Sequence, residues 1–309
     1  MPDSVSRILR FVDGWGRRAY PVRWSLRDTI TYAIATGADG RNARALVWES
    51  APDFETLPTF ATRFAHDAII DFAAGTQNAG LPAFARATRV RLHRPLAAEG
   101  GHDGQASASA VLSVKERAPE RLVLTLDVET RVADEPIADS SLDVHFRLGD
   151  ARSARRPSRG ADDDETGDGT VEVKESVHPY QAAVFRTLLG LTADGRVQDA
   201  MHIDPVRSRE IGLSAPALPG EVTLGIVARL AARNLQPLGF RGLVGAEASY
   251  LSPVSDQDGL LVTFTPSRNG SVRTRVVNGK GRIAARGTLH FQTSPHQASS
   301  PTPGCRETS

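Results

Sequence analysis

The sequence predicts an α+β protein assembled twice on one plan, and three observations carry that reading. Each half opens with a short amphipathic helix, over residues 26–38 in the first and 181–191 in the second. Each then has a Leu-Pro start to a longer apolar helix: Leu57-Pro58 leads toward Ala74, and Leu218-Pro219 toward Leu235. Each closes on strands of period-two alternation. The order of elements repeats, although the residues themselves do so only weakly.

Taken in chain order, residues 1–23 read as an N-terminal arm. The polar start Met1-Pro2-Asp3-Ser4 and the basic, mildly amphipathic stretch from Arg7 to Arg18 fit a flexible or surface-docked segment. The first half follows over 24–148. Proline suits the first turn of the 57–74 helix because its missing N–H would be unpaired there anyway. Leu122, Leu124, Leu126 and Val128 share one strand face, as do Leu142, Val144, Phe146 and Leu148. Residues 149–176 have linker composition, running from Arg152, Arg155, Arg156 and Arg159 into Asp162, Asp163, Asp164, Glu165 and Asp168. The second half covers 177–292. Val222, Ile226, Val227 and Leu230 recur at helical spacing and define a buried stripe. Strands over 261–264, 272–276 and 287–291 are separated by turns at Asn269-Gly270 and Asn278-Gly279. The Ser-, Pro- and Thr-rich tail over 293–309 reads as disordered.

Composition narrows the classes of function. The chain has 309 residues, 40% hydrophobic and 24% charged, as soluble globular proteins do. Net charge is +1, and 34 arginines stand against three lysines without aromatic interleaving, so no nucleic-acid partner is expected. No apolar run approaches the ~20 residues that span a bilayer, and no apolar signal core follows Met1. No membrane partner is expected, and the cytoplasm is the expected compartment. Cys305 is the sole cysteine, which excludes disulfides and cysteine-based metal sites within the chain. The eight histidines show no metal-ligand spacing. Gly100, Gly101 and Gly104 lack the strand-before, helix-after setting of a dinucleotide loop. No cofactor is implied. Ser214, Ser249 and Ser252 have no nucleophile-elbow setting, and His66 reads as a core histidine.

The densest chemistry lies at Met201-His202-Ile203-Asp204-Pro205 and, shortly after, at Leu218-Pro219-Gly220. His202 can exchange a proton near neutral pH, with Asp194, Asp199 and Asp204 nearby in sequence. The helix opening at Pro219-Gly220 offers backbone N–H groups to a developing negative charge. Together these suit proton addition or removal next to a thioester carbonyl. Gly220 has two readings: a donor to the thioester oxygen, or a glycine kept for tight packing. Asp204 reads as a structural acceptor of backbone N–H bonds in a turn.

These stretches resemble the MaoC-like, R-specific (type 2) enoyl-CoA hydratases. That family has Gln-Ala, then Tyr-Arg-Leu-Ser-Gly-Asp-Trp-Asn-Pro-Leu-His-Ile-Asp-Pro, a Leu-His-Gly helix start and an Arg-Phe-x-x-Pro-Val strand. Here stand Gln181-Ala182, Leu191-Thr192-Ala193-Asp194, His202-Ile203-Asp204-Pro205, Leu218-Pro219-Gly220 and Ala248-Ser249-Tyr250-Leu251-Ser252-Pro253-Val254. In the first half, Asp28 with Tyr32-Ala33 and Gly37-Ala38, Leu57-Pro58-Thr59-Phe60, and Pro95-Leu96 through Gly100 match in the same order.

The resemblance implies a double-hotdog fold, in which each repeat wraps a long helix in an antiparallel sheet and the two sheets run on as one. It implies reversible hydration of trans-2-enoyl thioesters, or dehydration of (3R)-hydroxyacyl thioesters, on coenzyme A or an acyl carrier protein. In that family a His and an Asp hold the water, and His202 takes the first role. The family's Asp lies five residues before the His, where this chain has Val197. Anchoring on Leu191-Thr192-Ala193-Asp194 makes Asp194 the equivalent. Asp199, standing at the family's Asn, is the other candidate. The catalytic set implied is therefore His202, Asp194, Asp199 and Gly220. The N-terminal half would shape the acyl tunnel, and a homodimer would be the assembly. The displaced Asp, the missing Asn and Pro219 in place of His keep a rival open. That rival is a silent hotdog that binds acyl thioesters or partners another subunit, or a repurposed biosynthetic dehydratase or cyclase.

Overall fold

The computed structural model describes residues 2–77, 80–81, 83–148, 169–189, 200–235, 242–267 and 270–292. The helix-then-strand order read from the sequence is present in it twice. The first half comprises α1 (Pro2–Asp13), β1 (Arg17–Pro21), α2 (Leu26–Ala35), α3 (Arg44–Val47), a 3-10 helix (Pro58–Ala65), α4 (His66–Gln77) and β2 (Ala83–Leu92). Strands β3 (Ala106–Ala118), β4 (Arg121–Val132) and β5 (Glu135–Arg147) complete it. The second half comprises β6 (Val171–Ser176), α5 (Tyr180–Thr187), a 3-10 turn (Ala200–His202), α6 (Pro205–Glu210) and α7 (Gly220–Asn234). It closes with β7 (Leu243–Tyr250), β8 (Gly259–Pro266), β9 (Ser271–Val277) and β10 (Ile283–Phe291).

The ten strands among the described residues join one antiparallel sheet in the order β1-β3-β4-β5-β2-β7-β10-β9-β8-β6. Strands β2 and β7 form the seam, in register from Ala87↔Ser249 to Arg91↔Gly245. Outward from that seam, β2-β5-β4-β3-β1 mirrors β7-β10-β9-β8-β6, so the halves are two copies of one topology. Register makes the faces legible. Ala110, Val128, Val90 and Ala246 line up across the strands and are buried. The next row carries Arg17, Val111, Asp127, Arg89 and Glu247 on the outer face.

Helix α7 lies inside this wrap. Eleven of its residues, from Val222 through Ala232, are buried, including the predicted stripe Val222, Ile226, Val227 and Leu230. A helix apolar on all sides belongs in a core. Helix α2 starts at Ser25, whose hydroxyl accepts from the Asp28 N–H while the Asp28 carboxylate accepts from the Ser25 N–H. This reciprocal cap fixes where the first half's helices begin.

The sequence reading and the structure differ at three places. The arm takes the docked of its two readings, with Ile8, Val12 and Trp15 buried, but it also supplies an unexpected strand: β1 pairs with β3 from Arg17↔Val111 to Pro21↔Ser107. The end of the linker forms β6, paired with β8, while 149–168 lie outside the described residues. The helix expected over 57–74 is split, with Pro58–Ala65 wound as a 3-10 helix before α4. Thr62 Oγ1 donates to Thr59 O at 2.9 Å there. This bond to the carbonyl three residues earlier fits the narrower winding.

His66 opens α4 as a core histidine, 7% exposed, with Nε2 donating to Leu189 O at 3.0 Å. Burial, with Arg63 beside it, pushes its pKa down from 6.5 to about 3. The unfolded chain therefore takes up a proton that the folded one refuses. The stability from this neutral ring is intact above pH 6.5 and drains as pH falls toward 3. The loss approaches about 1.4 kcal/mol per pH unit within that window. His66→Gln, which keeps an amide donor for Leu189, is expected to flatten the pH dependence of urea midpoints between these limits. An unchanged slope would show that His66 is not the group responsible.

Candidate active site

His202 stands on the Ala200–His202 turn, half-buried, at the point where the chain enters α6. Asp204 caps that helix by accepting the Val206 N–H at 2.8 Å, the structural use expected of an aspartate before proline. Ser208 is fully buried and its hydroxyl bridges Met201 O at 2.8 Å and Asp204 O at 2.9 Å. The loop is therefore held from within.

The imidazole is aimed by a contact across the loop. Its Nδ1 lies 2.6 Å from Ala217 O. A carbonyl can only accept, so Nδ1 carries the hydrogen and Nε2 keeps the basic lone pair. Ala217 is in turn anchored by its N–H to Met201 O at 3.3 Å, and Leu218 N–H donates to Val254 O at 2.8 Å. Two residues later the chain turns into α7 at Gly220. The imidazole and the helix start are thus parts of one braced segment.

Pro219 is the N-cap of α7 and supplies no side-chain cap. The Val222 and Thr223 N–H groups fold back to Pro219 O at 3.1 Å each, which leaves the Gly220 N–H as a donor at the helix start. Gly220 is required sterically: a Cβ there would lie 2.6 Å from Cε2 and Cζ of Tyr250 and 3.0 Å from its Oη. The packing reading of Gly220 is therefore met, and the donor reading is compatible with it.

Around this turn the structure gathers hydroxyl groups that the sequence reading did not select. Tyr32, fully buried on α2, donates to Glu221 O at 3.3 Å. A Cβ at Gly225 would lie 2.9 Å from the Tyr32 hydroxyl, so α2 and α7 cross at close range. Tyr250 Oη, Thr88 Oγ1 and Thr59 Oγ1 are buried without a hydrogen-bond partner. Burial raises the pKa of both tyrosines, and the Glu221 carboxylate adds to the rise. Both stay protonated near neutrality. One signal for Tyr250 was available: it stands where the resembled family has Phe in Arg-Phe-x-x-Pro-Val. Tyr32 and Thr59 stand in first-half stretches that match the same family, whereas Thr88 depends on which strands meet at the seam.

Asp194 and Asp199 lie outside the described residues. The residues just before them are held by the first half. Arg63 Nε donates to Leu188 O at 2.7 Å, next to the His66 bond to Leu189 O. A groove of about 740 Å3 on the outer sheet face, among Arg17, Arg89, Arg91, Asp127, Glu129, Asp139 and Glu247, does not include His202 or Gly220. Its charges are of both signs.

Solved structures place this architecture. A MaoC-like dehydratase from Phytophthora capsici superposes with a TM-score of 0.69 at 16% identity, over 94% of this chain and 99% of that one. The peroxisomal multifunctional enzyme type 2 of Drosophila melanogaster gives 0.66 at 17% identity, covering 94% of this chain and 52% of its own length. A Mycobacterium tuberculosis protein with a double hotdog fold gives 0.53 at 16% identity, over 89% and 96%. No protein-family model and no curated protein sequence matches the chain. At these identities the likeness defines the fold: the chain is a double hotdog. Among the described residues, no helix is long and apolar enough to cross a membrane.

Proposed function

We propose that this protein is a MaoC-like hydratase/dehydratase that adds water reversibly to trans-2-enoyl thioesters of coenzyme A or an acyl carrier protein. The observation that carries the reading is the fixed tautomer of His202, with Nδ1 held by Ala217 O at 2.6 Å on the segment that leads into Gly220. In the forward direction His202 Nε2 takes a proton from water as the water oxygen bonds to C3. The C2–C3 double-bond electrons move toward the thioester oxygen, where the Gly220 N–H stabilises the enolate. A proton then returns to C2, giving the (3R)-hydroxyacyl thioester. Asp194, with Asp199 as the second candidate, would share the water with His202. General acid–base groups of this kind typically contribute about 10²–10⁴-fold. The N-terminal half would shape the tunnel for the acyl group.

Val197 and Pro219, which stand where the family has Asp and His, favour a second reading. That reading is an acyl-thioester-binding hotdog without turnover, or a dehydratase or cyclase of a biosynthetic pathway. Incubation with short and medium trans-2-enoyl-CoA in ¹⁸O-water separates the two. Label in the 3-hydroxyl group is the expected result. Binding of the same thioesters with no labelled product at any chain length would transfer the case to the second reading.

A further inference from the structure

Tyr250 ends β7 on the inner face of the sheet and lays its ring against Gly220, where a Cβ would be 3.0 Å from the phenol oxygen. That oxygen is buried and has no hydrogen-bond partner, while the residue as a whole keeps part of its surface exposed. Thr88 is 3% exposed and its hydroxyl is also without a partner. It faces Ala248 across the β2–β7 seam, so Tyr250, two residues on along the same face, is its diagonal neighbour. The Thr88 hydroxyl is close enough to offset part of the rise that burial causes in the Tyr250 phenol, yet neither oxygen has a partner in good hydrogen-bond geometry. The ring alone would pack on Gly220 equally well as phenylalanine, and an unpaired buried hydroxyl disfavours the folded state. The oxygen thus has no folding role among the described residues, and it lies beside the uncapped first turn of α7.

We propose that the Tyr250 hydroxyl donates a hydrogen bond to the carbonyl oxygen of a bound acyl thioester, beside the Gly220 N–H. Two donors then converge on the atom where enolate charge develops, and the phenol occupies the role that a side chain at Pro219 cannot fill. Burial keeps the phenol protonated, and therefore a donor, throughout the neutral range. This inference rests on the site being an acyl-thioester site; it does not require that hydration be the reaction.

The test uses a saturated medium-chain acyl-CoA carrying ¹³C at the thioester carbonyl, bound to the wild-type chain and to Tyr250→Phe. Difference infrared spectra read the carbonyl stretch directly. It is expected to fall on binding to wild type and to move back toward the free value in Tyr250→Phe. With a trans-2-enoyl-CoA, kcat should drop about 10²-fold with KM little changed. Thermal melting of Tyr250→Phe should match or exceed wild type, because the variant loses an unpaired hydroxyl. The same carbonyl frequency in both proteins overturns the inference, and so does a large loss of stability in Tyr250→Phe. A wild type that shows the shift without turnover supports the inference and sinks the hydratase reading. One that hydrates with no effect of Tyr250→Phe sinks the inference alone. A wild type that binds no acyl-CoA sinks both.

Discussion

Replacing His202 by asparagine is expected to slow hydration of a trans-2-enoyl thioester by about 10²–10⁴-fold while leaving the fold in place. The substitution is chosen for its geometry. An asparagine amide N–H sits close to where Nδ1–H sits in histidine, so the 2.6 Å bond to Ala217 O can survive. What disappears is the basic nitrogen on the far side of the ring. His202 is half-buried on a loop whose internal bonds come from Ser208 and Asp204, so the stability cost should be about 1 kcal/mol. His202→Gln reverses the geometry by sacrificing the Ala217 bond, and should lose both rate and loop order. Rates read with melting curves for the two variants separate a missing base from a collapsed loop.

Arg229→Met should cost the most stability, about 3–5 kcal/mol by urea denaturation. Arg229 is fully buried in α7, with Nε donating to Thr36 O at 2.9 Å and Nη2 3.0 Å from Glu175 Oε2. The contact with Glu175 is an ion pair in distance only, because neither Nη atom has a hydrogen-bond partner. Beside it, Gln181 Nε2 donates to Ala35 O at 3.0 Å. Gly37 lets this knot close: its φ is +84°, and a Cβ there would lie 3.1 Å from Nη2. The cation therefore ties the end of α2, in the first half, to α7 and β6, in the second. Removing it strands the Thr36 carbonyl and the Glu175 carboxylate. The double variant Arg229→Met/Glu175→Gln should regain at least about 1 kcal/mol, because the carboxylate no longer lacks its counter-charge. A loss below about 1 kcal/mol in the single variant would mean that the pair contributes little to joining the halves.

Much of the fold was legible because its period-two strands and Leu-Pro helix starts are local signals. Leu122, Leu124, Leu126 and Val128 are buried on one face of β4, and the strands around 261–291 lie where alternation placed them. Two of the strands not called from the sequence, β1 and β6, are equivalent: each is the first strand of its half and each lies at an outer edge of the sheet. Edge strands are short and charged to discourage further pairing. Arg17-Arg18-Ala19-Tyr20 and Val171-Glu172-Val173-Lys174 therefore read as arm and linker. The winding of Pro58–Ala65 depends on how Thr59 and Thr62 are buried, which no spacing reveals.

The candidate site divides in the same way. His202, Asp204 and Gly220 could be read because they sit within one short stretch whose order carries the chemistry. Tyr32, Thr59, Thr88 and Tyr250 come from α2, the 3-10 helix, β2 and β7, and only the continuous sheet brings them to the start of α7. Asp194 and Asp199 fall outside the described residues, so the choice between them belongs to solution measurements.

The most direct test of the central claim is the initial rate of loss of enoyl-thioester absorbance with short and medium trans-2-enoyl-CoA. Wild type is measured beside His202→Asn and Asp194→Asn. The account predicts turnover by the wild-type chain that collapses in His202→Asn, while that variant still binds saturated acyl-CoA. Turnover that is unchanged in His202→Asn, or absent from the wild type at every chain length, would contradict it.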